Sequence, residues 1–61
     1  MTPEELEKRA SAIYGPDWQS ALARRVRVDP RAVRFWKAGA RSIPDWLDAF
    51  LSVIERHPDE R

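Results

Sequence analysis

Proline and glycine punctuate this chain so regularly that only short helices fit between them. Pro3, Gly15-Pro16, Pro30, Gly39, Pro44 and Pro58 divide it into brief stretches, and in each the apolar residues recur at helical rather than alternating spacing. Thr2, Pro3 and Glu5 form a T-x-x-E capping box with proline at the first helical position. Leu6, Ala10 and Ile13 follow at i, i+4 and i+7, which predicts a helix from about Pro3 to Tyr14, stopped by Gly15-Pro16. Asp17 is placed to cap a second helix carrying Trp18, Ala21, Leu22 and Val26. Asp29-Pro30 opens a third, running through Val33 and Trp36 to Gly39, which suits a left-handed C-terminal cap. Ser42 and Asp45 form an S-x-x-D box around Pro44. The fourth helix then carries Trp46, Leu47, Phe50, Leu51, Val53 and Ile54 as far as His57-Pro58. The expectation is an all-α, compact bundle of about four short helices: one domain over residues 1–57, with 58–61 a frayed tail.

At 61 residues the chain has room for a single marginal core, and it has no cysteine to staple one. No apolar run follows Met1 or approaches the roughly 20 residues that span a bilayer, so neither a signal peptide nor a membrane partner is expected. The net charge of +1 conceals an uneven distribution. Residues 18–41 carry seven basic side chains (Arg24, Arg25, Arg27, Arg31, Arg34, Lys37 and Arg41) against Asp29 alone, a net +6. The flanking segments are acidic: residues 1–17 sum to −2 and residues 42–61 to −3. A basic centre between acidic ends is either a localised anion-binding face or a solvated surface without a partner.

The link between the second and third helices, around Arg27-Val28, is short enough to force a sharp crossing, as in a helix-turn-helix unit at about residues 18–39. Ala23 is small enough to face the crossing and Val28 to plug the turn, while Val33 and Trp36 anchor the third helix on Leu22 and Val26. Arg31, Arg34, Phe35 and Lys37 then project, with Arg31 and Arg34 three residues apart on one exposed side.

The segment Gln19 to Gly39 resembles the helix-turn-helix of the Cro and phage-repressor, or lambda-repressor-like, superfamily. That pattern has glutamine first, alanine fifth, aliphatic residues tenth and fifteenth, and glycine after the recognition helix; Gln19, Ala23, Val28, Val33 and Gly39 stand there. The stretch from Tyr14 to Pro44, with Tyr14-Gly15, Trp18-Gln19 and Leu22-Ala23 at its entry and Val33-Arg34, Trp36 and Gly39 at its exit, also resembles short bacterial repressor-like proteins, similar to plasmid and phage regulators, anti-CRISPR-associated ones among them. One position departs: the ninth is usually glycine and is Arg27 here. Either the turn is built differently or Arg27 accepts a left-handed backbone, at a cost of order 1 kcal/mol.

The resemblance implies a sequence-specific regulator of transcription, most simply a repressor occluding a palindromic operator in double-stranded DNA, in a bacterial or phage-infected cytoplasm. Carried over position by position, base reading falls on Pro30, Arg31 and Phe35, with Arg34 beside them. Pro30 has no side-chain donor and can offer only apolar contact. Arg31 is the first candidate for paired hydrogen bonds to guanine, a contact worth about 1–3 kcal/mol of discrimination. Phosphate contact falls on Gln19 and on Arg41 and Ser42 in the loop after Gly39, with Lys37 and Arg24 as further candidates. Phe35 is left open between reading a base, touching a partner and partial burial.

Other features have plainer readings. Trp18, Trp36 and Trp46 suggest a stacking set for single strands, but their spacing favours core packing, above all for Trp36 and Trp46. Asp45 and Asp48 sit in the first turn of a helix, where negative charge is stabilising anyway, and His57 sits at a helix end. No phosphate loop, nucleophile–base set or metal-ligand cluster is visible, so neither an enzyme, a small-molecule substrate nor a cofactor is expected. The fourth helix is apolar over a wider arc than a small core needs. Phe50, Leu51, Val53 and Ile54 are therefore candidates for a homodimer contact. The rival reading is a protein-binding module on the same fold, such as an antitoxin-like or phage-encoded inhibitor acting through its acidic ends.

Overall fold

The structure, a computed structural model, describes residues 1–60. Its helices are α1 (Pro3–Tyr14), α2 (Trp18–Val26), α3 (Pro30–Ala38) and α4 (Asp45–Arg56), followed by a 3₁₀ turn at Pro58–Glu60; no strand occurs among the described residues. None of these helices is long and apolar enough to cross a membrane.

The first and third helices begin as their residue types require. Thr2 Oγ1 accepts the Glu5 backbone N–H at 3.2 Å and donates to Glu5 Oε1 at 3.4 Å. Asp29 Oδ1 accepts the Arg31 N–H at 2.8 Å, and Pro30 occupies the first helical position, where no N–H is needed. The other two starts differ from expectation. Asp17 stands at the N-cap of α2 but its carboxylate makes no capping bond, because its backbone (φ −93°, ψ 27°) is not the extended form that aims a cap side chain at the helix. At α4 the N-cap is Pro44, and Asp45 is already helical, so Ser42 does not cap.

Two helix ends use left-handed residues. Gly39 (φ 77°) closes α3, with its own N–H bonded to the Trp36 carbonyl at 3.2 Å and the Ala40 N–H to Phe35 at 2.9 Å. Arg27 closes α2 at φ 60°, ψ 47°, and the Val28 N–H bonds the Ala23 carbonyl at 3.0 Å. The turn thus keeps its tight form, and Arg27 carries the strain a glycine would avoid.

One core joins all four helices: Leu6 and Ala10 of α1, Trp18, Leu22 and Ala23 of α2, Val33 and Trp36 of α3, and Leu47 and Leu51 of α4. Burying each such leucine contributes about 1.5–3 kcal/mol. The α2–α3 packing is the most extensive, and α1 touches each of the other three helices. Across α1 and α4 lies a polar clamp that nothing local in the sequence announces. The Arg9 guanidinium reaches Asp48 Oδ1, Glu55 Oε1 at 2.8 Å and Ser52 Oγ at 3.1 Å. Hydrogen bonds to Glu55 and Asp48 raise the pKa of Arg9, and the bond from Arg9 lowers that of Asp48.

Two further expectations are corrected. Trp46 is 49% exposed, because its neighbour Leu47 takes the inward position; an edge-to-face contact with Trp36, centroids 6.1 Å apart, ties it to the core. Leu51 (0% exposed) and Ile54 (2%) are interior residues of the single chain and so cannot form a contact between chains. In the C-terminal turn Pro58–Glu60 the Glu60 N–H bonds the His57 carbonyl at 3.0 Å, and Arg25 Nε donates to the Glu60 carbonyl at 3.2 Å. Arg61 lies outside the described residues.

Candidate nucleic-acid interface

α3 has two faces because Val33 and Trp36 are held inside. Their burial turns Arg31, Arg34, Phe35 and Ala38, spaced i, i+3, i+4 and i+7, to the surface. These four line one shallow depression of about 370 Å³. Pro30 is exposed at the start of the same helix.

Gln19, in the first turn of α2, joins Arg34, Lys37 and Ala38 around a second depression of about 290 Å³. The crossing of α2 over α3 therefore sets an amide beside two cations. Arg41 and Ser42 line a third, of about 280 Å³, with Met1, Pro3, Gly39 and Ile43. Of the residues singled out for phosphate contact, Arg24 alone does not share in any of these three hollows, although it is exposed on α2.

Phe35 links the first hollow to the third. Its ring is 39% exposed and carries the Arg41 guanidinium, whose Cζ lies 4.6 Å from the ring centroid. The backbone reinforces the pairing, since the Phe35 carbonyl accepts the N–H groups of Ala40 at 2.9 Å and Arg41 at 3.4 Å. Phe35 is thus neither core nor free: one side supports Arg41 while the rest borders Arg31 and Arg34. The sequence carried both residues as candidates but not their contact, which depends on the left-handed turn at Gly39 folding the loop back.

The charge on this side is not neutralised internally. Arg24, Arg27, Arg31, Arg34 and Lys37 form no ion pair with any described residue; the ion pairs of the described chain both belong to Arg9. Arg25 stands apart from the others. Its guanidinium lies 5.5 Å from the Phe50 ring centroid and its Nε is bound to the Glu60 carbonyl, so it serves the α2–α4 side of the molecule.

The residues proposed for chain pairing divide. Val53 is exposed and Phe50 half-buried beneath Arg25, whereas Leu51 and Ile54 lie in the interior. Compared with protein-family models, with curated proteins and with solved structures, the chain matches none.

Proposed function

We propose that the chain is a sequence-specific binder of double-stranded DNA, acting as a transcriptional regulator and most simply as a repressor that occludes its operator. One observation carries the reading: α3 is anchored by Val33 and Trp36 and presents Arg31, Arg34 and Lys37 outward without acidic partners among the described residues. An unpaired row of cations on a firmly capped helix suits the anionic major groove, which admits an α-helix. In this reading Arg31 and Arg34 contact base edges, with Pro30 beside them. Gln19, Lys37, Arg41 and Ser42 hold the backbone on either side. Arg24 joins them only as a long-range charge.

The test is an anisotropy titration against duplex DNA from upstream of the gene and against scrambled duplexes of the same length. Arg31→Ala is expected to erase the preference between the two, at a cost of about 1–3 kcal/mol on the preferred site. Arg41→Ala is expected to weaken every duplex alike and to reduce the salt slope by about one. Absence of duplex binding by the wild-type chain at low salt overturns the reading and leaves the protein-binding module.

A further inference from the structure

Arg27 is the one non-glycine residue of the described chain with a positive φ, in a turn that glycine would make without strain. Residues held in such sparsely populated backbone gather at sites that bind or react, where the surrounding structure keeps them in place. A purely internal role would show as a contact of the side chain. Yet the Arg27 side chain is exposed and makes no hydrogen bond, ion pair or ring contact with any described residue. Its neighbour Arg25 shows the contrast, being held between the Phe50 ring and the Glu60 carbonyl. Strain that nothing inside the chain offsets implies a partner outside it.

We infer that Arg27 is a phosphate contact in its own right, holding the DNA backbone beside the N-terminal end of α3. The inference rests on the DNA reading above and adds to it a residue which that reading leaves out. α3 has nine residues and is about 13 Å long, while the major groove is about 12 Å wide. Backbone phosphates therefore lie near both ends of a helix seated in the groove. Beyond the C-terminal end, Arg41 and Ser42 line the hollow beside Gly39 and are placed to meet them. The N-terminal end is short of donors. Val28 is apolar and half-buried, Asp29 is an acceptor engaged in capping, and Pro30 has neither a side-chain donor nor an N–H. Arg27 is thus the nearest side chain ahead of Arg31 that can donate to an anion. Its forked N–H donors and permanent charge suit a phosphate, and no described carboxylate is paired with it to compete.

Anisotropy titrations of wild type, Arg27→Gly, Arg27→Asn and Arg27→Lys against the upstream and scrambled duplexes, repeated over a salt series, test the contact. Glycine and asparagine both accept a left-handed backbone, so the guanidinium is removed while the turn is kept. Helical circular dichroism verifies the fold of each variant. Arg27→Gly and Arg27→Asn are expected to bind every duplex several-fold more weakly at low salt. Their salt slopes should be shallower by about one, with the preference between duplexes unchanged. Arg27→Lys keeps the charge and should recover most of the binding and the slope. Arg24→Ala removes a cation that acts only at long range, and its losses should fall short of those of Arg27→Gly. The inference is overturned if Arg27→Gly binds as wild type does, or loses no more than Arg24→Ala. In either case a wild type that still prefers the upstream duplex leaves the DNA reading standing. A wild type that binds no duplex ends that reading, and this one with it.

Discussion

At Arg27 the backbone stands at φ 60° in a residue that has a Cβ, because the turn between α2 and α3 requires a left-handed residue and the chain supplies an arginine. The side chain has no ion pair among the described residues to offset the strain. Arg27→Gly should therefore stabilise the fold by up to about 1 kcal/mol, less what glycine loses in unfolded-state entropy. Thermal melting checks this; a lower midpoint means that Arg27 makes a stabilising contact the strain argument omits. Capping at Thr2 and Asp29 and the left-handed Gly39 were legible residue by residue, since each is decided within a few positions of chain. The role of Phe35 was not, because it depends on where the loop after Gly39 returns Arg41. If Phe35 chiefly positions that guanidinium, Phe35→Leu should weaken duplex binding about as much as Arg41→Ala, and the double variant little further. Phe35→Tyr, which keeps an aromatic face, should bind as wild type does. Additive losses, or altered base preference in Phe35→Leu with Arg41 still contributing fully, would instead identify Phe35 as a base contact.

The helices themselves were readable from punctuation and period, yet α4 shows what periodicity omits. Its apolar residues fall on two arcs, and nothing local says that Leu47, Leu51 and Ile54 face inward while Trp46 and Val53 face out. The choice depends on the rest of the fold: the inward face packs into the shared core, and Arg9 of α1, 39 residues from Asp48 and 46 from Glu55 in sequence, pairs with the adjoining face of α4. That clamp has a pH signature. Asp48 is held below its ordinary pKa of 3.8 by the hydrogen bond from Arg9, so the folded form releases its proton more readily than the unfolded form does. The resulting stabilisation is fully present above the ordinary value and is lost as pH falls through the lowered one. Exposure of both carboxylates keeps the contribution modest and sensitive to salt. Asp48→Asn should melt below wild type at neutral pH, with the two midpoints converging as the solution is acidified below pH 3.8. A constant gap between them at all pH values would show that the pair is not a source of stability.

For the whole molecule the proposed function raises the question of how a chain only 31 × 19 × 19 Å in extent would bind selectively. One copy presents a single short helix, and that offers few base contacts against a large background of non-specific sites. The homodimer expected of such a regulator would present two α3 helices related by a two-fold axis. Half-sites about one duplex turn apart, roughly 34 Å, face the same side of DNA, which is the spacing such a pair would read. This gives a prediction belonging to neither helix alone. An operator with two inverted half-sites should bind the wild-type chain tightly. Inserting about half a turn, ~5 base pairs, between the half-sites rotates one to the far side and should reduce affinity to that of a single half-site. Inserting a full turn brings the half-sites back to one side but separates them beyond the span of a rigid pair, so it should restore little. A variant that stays monomeric should ignore spacing altogether, because each copy then binds by itself. If wild type also ignores spacing while still preferring the half-site sequence, α3 reads DNA as a monomer.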